Sequence, residues 1–331
     1  MINNEVNYEE YQKEFDNLPF DLQLTSLSPK FCREFKTYNK NLQIIYWVYK
    51  ESKNIFMNCF FLGKINDTNY FDIQSPYPYG GPICSTNDKL FLESANQQFK
   101  NWALNKNVLV EFYKFNPILD QKKWYDGKVI NNRETVIIDL KKNLMENYEK
   151  RRFYDLKNIE KKNVLKILKN PSDKENFINI YKDNMKKIKA DSFYFFSDKY
   201  LANIINFDFV DTWFAYMDNK VVSAAIVLNS QKSKIVEYFL GARDFNYDKY
   251  KSTVYLLHKI SEYYKSKNYY KFYLGGGRSA SEDDTLLFFK KGFSDFTSDF
   301  YIAHKVYDDK TYFDLKKKTN SLDKPKILFY R

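Results

Sequence analysis

The chain has 331 residues, long enough for two packed cores, with 44% hydrophobic residues, 19% aromatics and a net charge of +11. Cys32, Cys59 and Cys84 are widely spaced and only His258 and His304 accompany them. That excludes a disulfide framework and leaves a zinc site too few soft ligands, so neither a metal nor a bound cofactor is expected.

Residues 1–14 are polar and acidic, unlike a signal peptide, and Val6–Phe15 reads as a short amphipathic helix. Alternating runs predict strands at Leu42–Tyr49, Asn54–Leu62 and Tyr70–Gln74. The next segment, Ser75-Pro76-Tyr77-Pro78-Tyr79-Gly80-Gly81-Pro82, cannot be regular, because its prolines lack donors and its glycines permit φ > 0. It is either a ligand cleft or a rigid connection. Asn87 can cap a helix with Phe91, Ala95, Phe99, Trp102 and Ala103 on one face. Strands follow at Val108–Lys114 and Thr135–Leu140, with a polar loop between them.

A second unit opens with a helix over Lys142–Lys161, whose outer side carries Arg151, Arg152 and Lys157. Ser172-Asp173-Lys174-Glu175 reads as a capping box for the following helix. Three strands come next, Thr212–Met217, Val221–Leu228 and Ile235–Gly241, the first two joined by an Asp218-Asn219 hairpin turn. A helix over Asp248–Lys267 leads to the strand Tyr270–Leu274, then Gly275-Gly276-Gly277-Arg278, a short helix through Lys290, and a last strand at Asp299–Val306. Three glycines at a strand end should leave backbone N–H groups bare, and with a nearby lysine they can hold a carbonyl or a phosphate.

Leu-Gly-Gly-Gly, a polar gap and Asp284-x-Leu286-x-x-Phe289-Lys290-x-x-Phe293 resemble the C-terminal signature of the FemAB-like branch of the GNAT acyltransferase superfamily. The Ser75–Pro82 segment is similar to that family's Ser-Pro-Tyr-x-Tyr-Gly-Gly-Pro. Glu111-Phe112-Tyr113-Lys114-Phe115-Asn116-Pro117 matches its Glu-Phe-x-Arg-Phe-x-Pro, with Lys114 in place of arginine. The resemblance implies an α/β (α+β) chain of tandem GNAT-like domains with mixed, partly splayed sheets. The first domain would cover 1–141, with 306–331 packing back on it, and the second, catalytic domain 142–305.

The resemblance also implies an acyl donor bound between the splayed strands Ile235–Gly241 and Tyr270–Leu274, and direct attack by an amine. Lys290 is then the catalytic candidate, and Gly275, Gly276, Gly277, Arg278 and Arg243 the donor-binding set. Tyr77, Tyr79, Gly80 and Gly81 would serve the acceptor, and Arg151 and Arg152 a nucleic acid. The acceptor expected is a nucleotide- or lipid-linked saccharide of the cell wall or surface glycan. Arg243–Tyr250 lacks the glycine cradle of acetyl-CoA enzymes, which together with the basic charge favours aminoacyl-tRNA over acyl-CoA as donor. An acyl-CoA-dependent amino-sugar N-acyltransferase and a non-catalytic nucleic-acid or glycan binder are the alternatives. No run reaches the roughly 20 apolar residues of a bilayer span, so the expected protein is cytoplasmic, and any membrane contact peripheral.

Overall fold

The computed structural model describes residues 4–38, 41–279, 281 and 283–331, which form two compact units, 1–132 with 299–331, and 133–298. The resemblance implies divisions at 141/142 and 305/306. The units part instead at 132/133 and 298/299, inside two long strands.

The first unit contains β1 (Glu5–Val6), α1 (Tyr8–Asn17), α2 (Pro29–Tyr38), β2 (Gln43–Glu51), β3 (Asn54–Lys64), β4 (Phe71–Gln74), β5 (Ile83–Cys84), α3 (Lys89–Asn105) and β6 (Val108–Lys114). Asn7 and Glu10 form a reciprocal capping box that starts α1. Helix α3 buries Phe91, Ala95, Phe99 and Ala103 as its periodicity predicts. Its cap is Asp88, which accepts from the Phe91 N–H at 2.8 Å, and not Asn87, whose side chain accepts from Trp124 Nε1. Strands β2, β3 and β4 are antiparallel, and α3 then crosses over to set β6 parallel to β4.

Strand β7 (Lys128–Asp139) carries the chain into the second unit, followed by α4 (Leu144–Asn147), α5 (Lys150–Lys162), β8 (Lys166–Lys169), α6 (Asn176–Lys187), α7 (Asp198–Ile204), β9 (Val210–Met217), β10 (Lys220–Ser230), β11 (Ile235–Arg243), α8 (Ser252–Ser266), β12 (Lys271–Gly276) and α9 (Thr285–Lys291). Strand β13 (Thr297–Val306) returns the chain to the first unit, where α10 (Asp309–Lys318) follows. Strands β9, β10 and β11 are antiparallel, and α8 crosses over to set β12 parallel to β11. Apart from the two-residue β5, both units therefore repeat the order strand, strand, strand, helix, parallel strand, the tandem pattern expected. Each sheet is completed by an antiparallel strand that follows the other unit's segment in sequence: β13 on β6, and β7 on β12.

Asp218 and Asn219 both have positive φ (49° and 62°), the mirror-image turn that matches strand twist. Three local readings change. The helix forecast over Lys142–Lys161 breaks at Tyr148, which is extended, and its ring drops into the core, with its hydroxyl 3.2 Å from His258 Nδ1. The capping box at Ser172–Glu175 does not form, because α6 starts only at Asn176 and puts Glu175 at the N-cap without a side-chain cap; Asp173 instead accepts from Tyr216 (2.6 Å) and Asn176 (2.9 Å). The helix forecast from Asp248 starts only at Ser252, after a 3₁₀ turn over Phe245–Tyr250 and a left-handed Lys251. Among the described residues, no helix is long and apolar enough to cross a membrane, and no side-chain cluster could hold a metal.

The second unit's core joins α5, α8 and the sheet through Leu156, Ile159, Val254, Leu257, Ile260 and Phe272. A buried carboxylate, Asp211 on β9, ties its flank. It accepts from Tyr264 (2.5 Å), Asn170 (2.8 Å) and Asn229 (3.1 Å), and pairs with Lys169 (2.9 Å). Removing it strands several desolvated donors and one cation. Asp211→Ala should therefore lose about 3–5 kcal/mol in urea unfolding, the cost typical of breaking a buried pair from one side.

Candidate active site

Strands β11 and β12 share only the pairs Ile235–Lys271, Val236–Phe272 and Glu237–Tyr273. Beyond them β11 runs on to Arg243 and β12 to Gly276 without pairing to each other. A bulge lies just past that point in each strand. On β11, Phe239 is skipped, so that Tyr238 faces Val227 and Leu240 faces Ile226. On β12, Leu274 is skipped, so that Tyr273 faces Ile137 and Gly275 faces Val136. Each bulge bends its strand and raises the local twist. The two strands part here, which gives the expected wedge.

The glycines do not end the strand. β12 continues through Gly276, with Gly275 and Gly276 opposite Val136 and Thr135. Pairing to β7 is retained on one side, so it is only toward β11 that these residues lack a strand partner. Gly275 has φ +80°, a conformation that side chains disfavour. A Cβ on Gly277 would lie 2.4 Å from the Asp284 carboxyl.

Asp284 is the knot of the turn. One carboxylate oxygen accepts from the N–H groups of Arg278 (2.7 Å) and Ser279 (2.8 Å), the other from those of Leu286 and Leu287 (both 2.9 Å), capping α9. Burial alone would raise its pKa, but these N–H donors outweigh it and hold the carboxyl at about 2. The cap aims α9 so that Lys290 turns inward. Lys290 is 7% exposed and donates to the Gly276 carbonyl at 2.7 Å. Burial lowers its pKa to about 7, only partly opposed by Asp284. Arg133 on β7 donates to the next carbonyl, Gly277 O, at 3.0 Å. Spacing pointed to neither Asp284's capping role nor Arg133. The Asp before an apolar run was a readable cap signal, whereas Arg133 comes from a strand more than 140 residues away in sequence.

Arg278 is exposed at the turn. Arg243, Arg151, Arg152 and Lys251 line a cavity of about 290 Å³ at the uncapped head of α8, together with Glu149, Asp155, Asp248 and the exposed Phe288. Arg243 pairs with Asp248 at 3.1 Å, and Asp155 pairs with both Lys251 and Arg152. Arg151 is open to solvent, but Arg152 turns inward: it donates to Phe289 O at 3.0 Å and lies over the Phe289 and Phe293 rings. Two buried polar atoms in this cavity's lining, Thr253 Oγ1 and Arg152 Nε, have no hydrogen-bond partner among the described residues.

Tyr77, Tyr79, Gly80 and Gly81 belong to the first unit. Their loop is tied along β6: Ser75 N–H donates to Phe112 O (3.1 Å), Lys114 N–H to Ser75 Oγ (3.1 Å) and Gly80 N–H to Lys114 O (2.9 Å). Buried Gln121, not foreseen, donates to Gly80 O and Pro82 O and accepts from the Asn116 N–H. Rigid connection is thus the better description of the loop's backbone, while the Tyr77 and Tyr79 side chains remain partly exposed.

No protein-family model and no curated protein sequence matches the chain. Solved structures do. FemX superposes with a TM-score of 0.70 at 11% identity, over 94% of this chain and 98% of its own. L-PGS from Bacillus licheniformis gives 0.61 at 13% identity, over 97% and 99%. The C-terminal domain of a putative lysylphosphatidylglycerol synthetase from Agrobacterium fabrum gives 0.57 at 13%, over 95% and 96%. The chain therefore shares its fold with FemX and with the lysylphosphatidylglycerol synthetase structures.

Lys290 gives this site a pH-dependent stability. Its folded pKa, about 7, lies below that of an unfolded lysine, so between about pH 7 and 10.5 the unfolded chain holds a proton that the folded chain does not. Its contribution is then fully favourable only above that window and is lost as pH falls toward 7. Lys290→Met should raise the melting temperature most at pH 6, with the gain shrinking toward pH 10. A gain independent of pH in calorimetry would mean that the lysine is not desolvated.

Proposed function

We propose that the chain is an N-acyltransferase: an amine of a saccharide-linked cell-wall or surface-glycan precursor attacks an acyl or aminoacyl carbonyl held between β11 and β12. The observation that carries this reading is a buried lysine aimed at the parting of two parallel strands. As the nitrogen bonds to the carbonyl carbon, the C=O electron pair moves onto oxygen. The bond to the donor then breaks, and the proton shed by nitrogen goes to the leaving group or to solvent. Such a reaction needs positioning and charge stabilisation rather than a covalent nucleophile. Lys290, as a cation, would supply the charge.

The donor favoured is aminoacyl-tRNA. At the head of α8 the chain has a 3₁₀ turn and cationic side chains where a CoA cradle would carry glycines. The exposed Arg151 and Phe288 suit a phosphate and a base respectively. Acyl-CoA is the second reading, supported by the same uncapped helix head and its unpartnered Thr253 hydroxyl.

Lys290→Ala should lower turnover by about 10²–10³-fold, the typical loss for one transition-state donor. Because the cationic form is the working one, kcat/KM of the wild type should fall as pH rises through about 7. Unchanged turnover in the variant would remove Lys290 from the chemistry. The donors separate by salt. Binding of charged tRNA from about 50 to 200 mM salt should weaken with a log–log slope of roughly −0.7 to −0.9 per phosphate contacted, and acetyl-CoA much less. Arg151→Ala should flatten the tRNA slope by about one phosphate and leave acetyl-CoA alone. Tight acetyl-CoA binding with no tRNA affinity would turn the reading to an acyl-CoA enzyme.

A further inference from the structure

Tyr238 is the β11 residue immediately after the last pair shared with β12, and the bulge at Phe239 fixes its direction. Its ring packs at the margin of the core that α8 and α9 cover, 5.8 Å from Lys290 Nζ. Its hydroxyl lies over Gly241, so close that a Cβ there would sit 1.6 Å from the oxygen. Tyr238 is half-buried, and among the described residues no protein group is hydrogen-bonded to that hydroxyl, which is not one of the buried unsatisfied atoms. A phenol whose ring lies beside a buried cation, and whose hydroxyl sits over a glycine that leaves room for it, is placed to donate to a bound acceptor. Tyrosine hydroxyls in such places usually find one.

Resting on the acyltransferase reading above, we infer that Tyr238 is a second catalytic donor, whose hydroxyl hydrogen-bonds the acyl carbonyl oxygen as negative charge builds on it. The phenol keeps its proton throughout. Burial holds its pKa at about 12, with Arg243 opposing, so it remains a donor across the working range. Lys290 and Tyr238 would then approach one oxygen from β12's helix and from β11, the two sides of the wedge. Gly241 would matter for the space it leaves to the hydroxyl.

The test is steady-state transfer by the full chain with charged tRNA and with acetyl-CoA as donors. Tyr238→Phe keeps the ring and removes only the hydroxyl. Turnover should fall about 10²-fold, with the donor KM and the melting temperature nearly unchanged. Gly241→Ala, which displaces the hydroxyl, should lower turnover in the same way, and the double variant should be no slower than the slower single one. Undiminished turnover in Tyr238→Phe overturns the inference while leaving the acyltransferase reading standing. So does a loss matched by a lower melting temperature or a raised KM, which marks a structural role. If the wild type transfers from neither donor, the functional reading itself falls and takes the inference with it.

Discussion

Everything at the candidate site depends on one constraint: β11 and β12 pair over three residues and then cannot continue. A sheet interior does not leave backbone groups unpaired without compensation, because each desolvated, unmet group costs on the order of 1–3 kcal/mol. Here the compensation comes from charged side chains. Lys290 and Arg133 each take one of the successive carbonyls of Gly276 and Gly277, and Asp284 takes the N–H groups of the turn that follows. The opening is held by ionic hydrogen bonds that have nothing to do with ladder geometry.

Several local rules are broken within a few residues of one another. Two bulges, a positive-φ glycine and a lysine buried at 7% exposure gather where the strands part. Such concentrations of unfavourable choices are where function is expected, since elsewhere the sequence agrees with its fold. The lowered pKa of Lys290 and the raised pKa of Tyr238 have one cause, burial, acting on groups of opposite charge sense. Burial makes the cation easier to discharge and the phenol harder to ionise.

Much of this was legible in the sequence. Period-two alternation placed nearly all the strands, the Asp218-Asn219 pair set the hairpin, and the glycine run with its downstream lysine located the wedge. What was not legible required contacts distant in sequence. Arg133, Gln121 and the inward turn of Arg152 depend on which strand or helix lies alongside, and no local pattern encodes that. The break at Tyr148 was hidden because a helical period runs through it, while its ring gains more by reaching His258 in the core. The completion of each sheet by a strand following the other unit's segment was invisible for the same reason: pairing partners are chosen by the assembled sheet.

The two units repeat one order of elements, but only one of them is open. In the second unit the parallel seam ends after Glu237 and Tyr273. In the first, the seam between β4 and β6 is carried on past Gln74 by the Ser75–Gly80 loop, which bonds to Phe112 and Lys114 where a wedge would otherwise form. The cores differ accordingly. Glu111, beside that stitched seam, is a buried carboxyl whose pKa burial pushes up to about 7, opposed by Lys305 and by the hydroxyls of Tyr113 and Tyr125, which donate to it along with that of Tyr307. Its oxygens are met from within the unit and offer little to a ligand. Lys290 has a single backbone partner and two further hydrogens to give. The first unit's parallel seam is thus bridged past its last pair, through Ser75 and Gly80, and the second unit's is not.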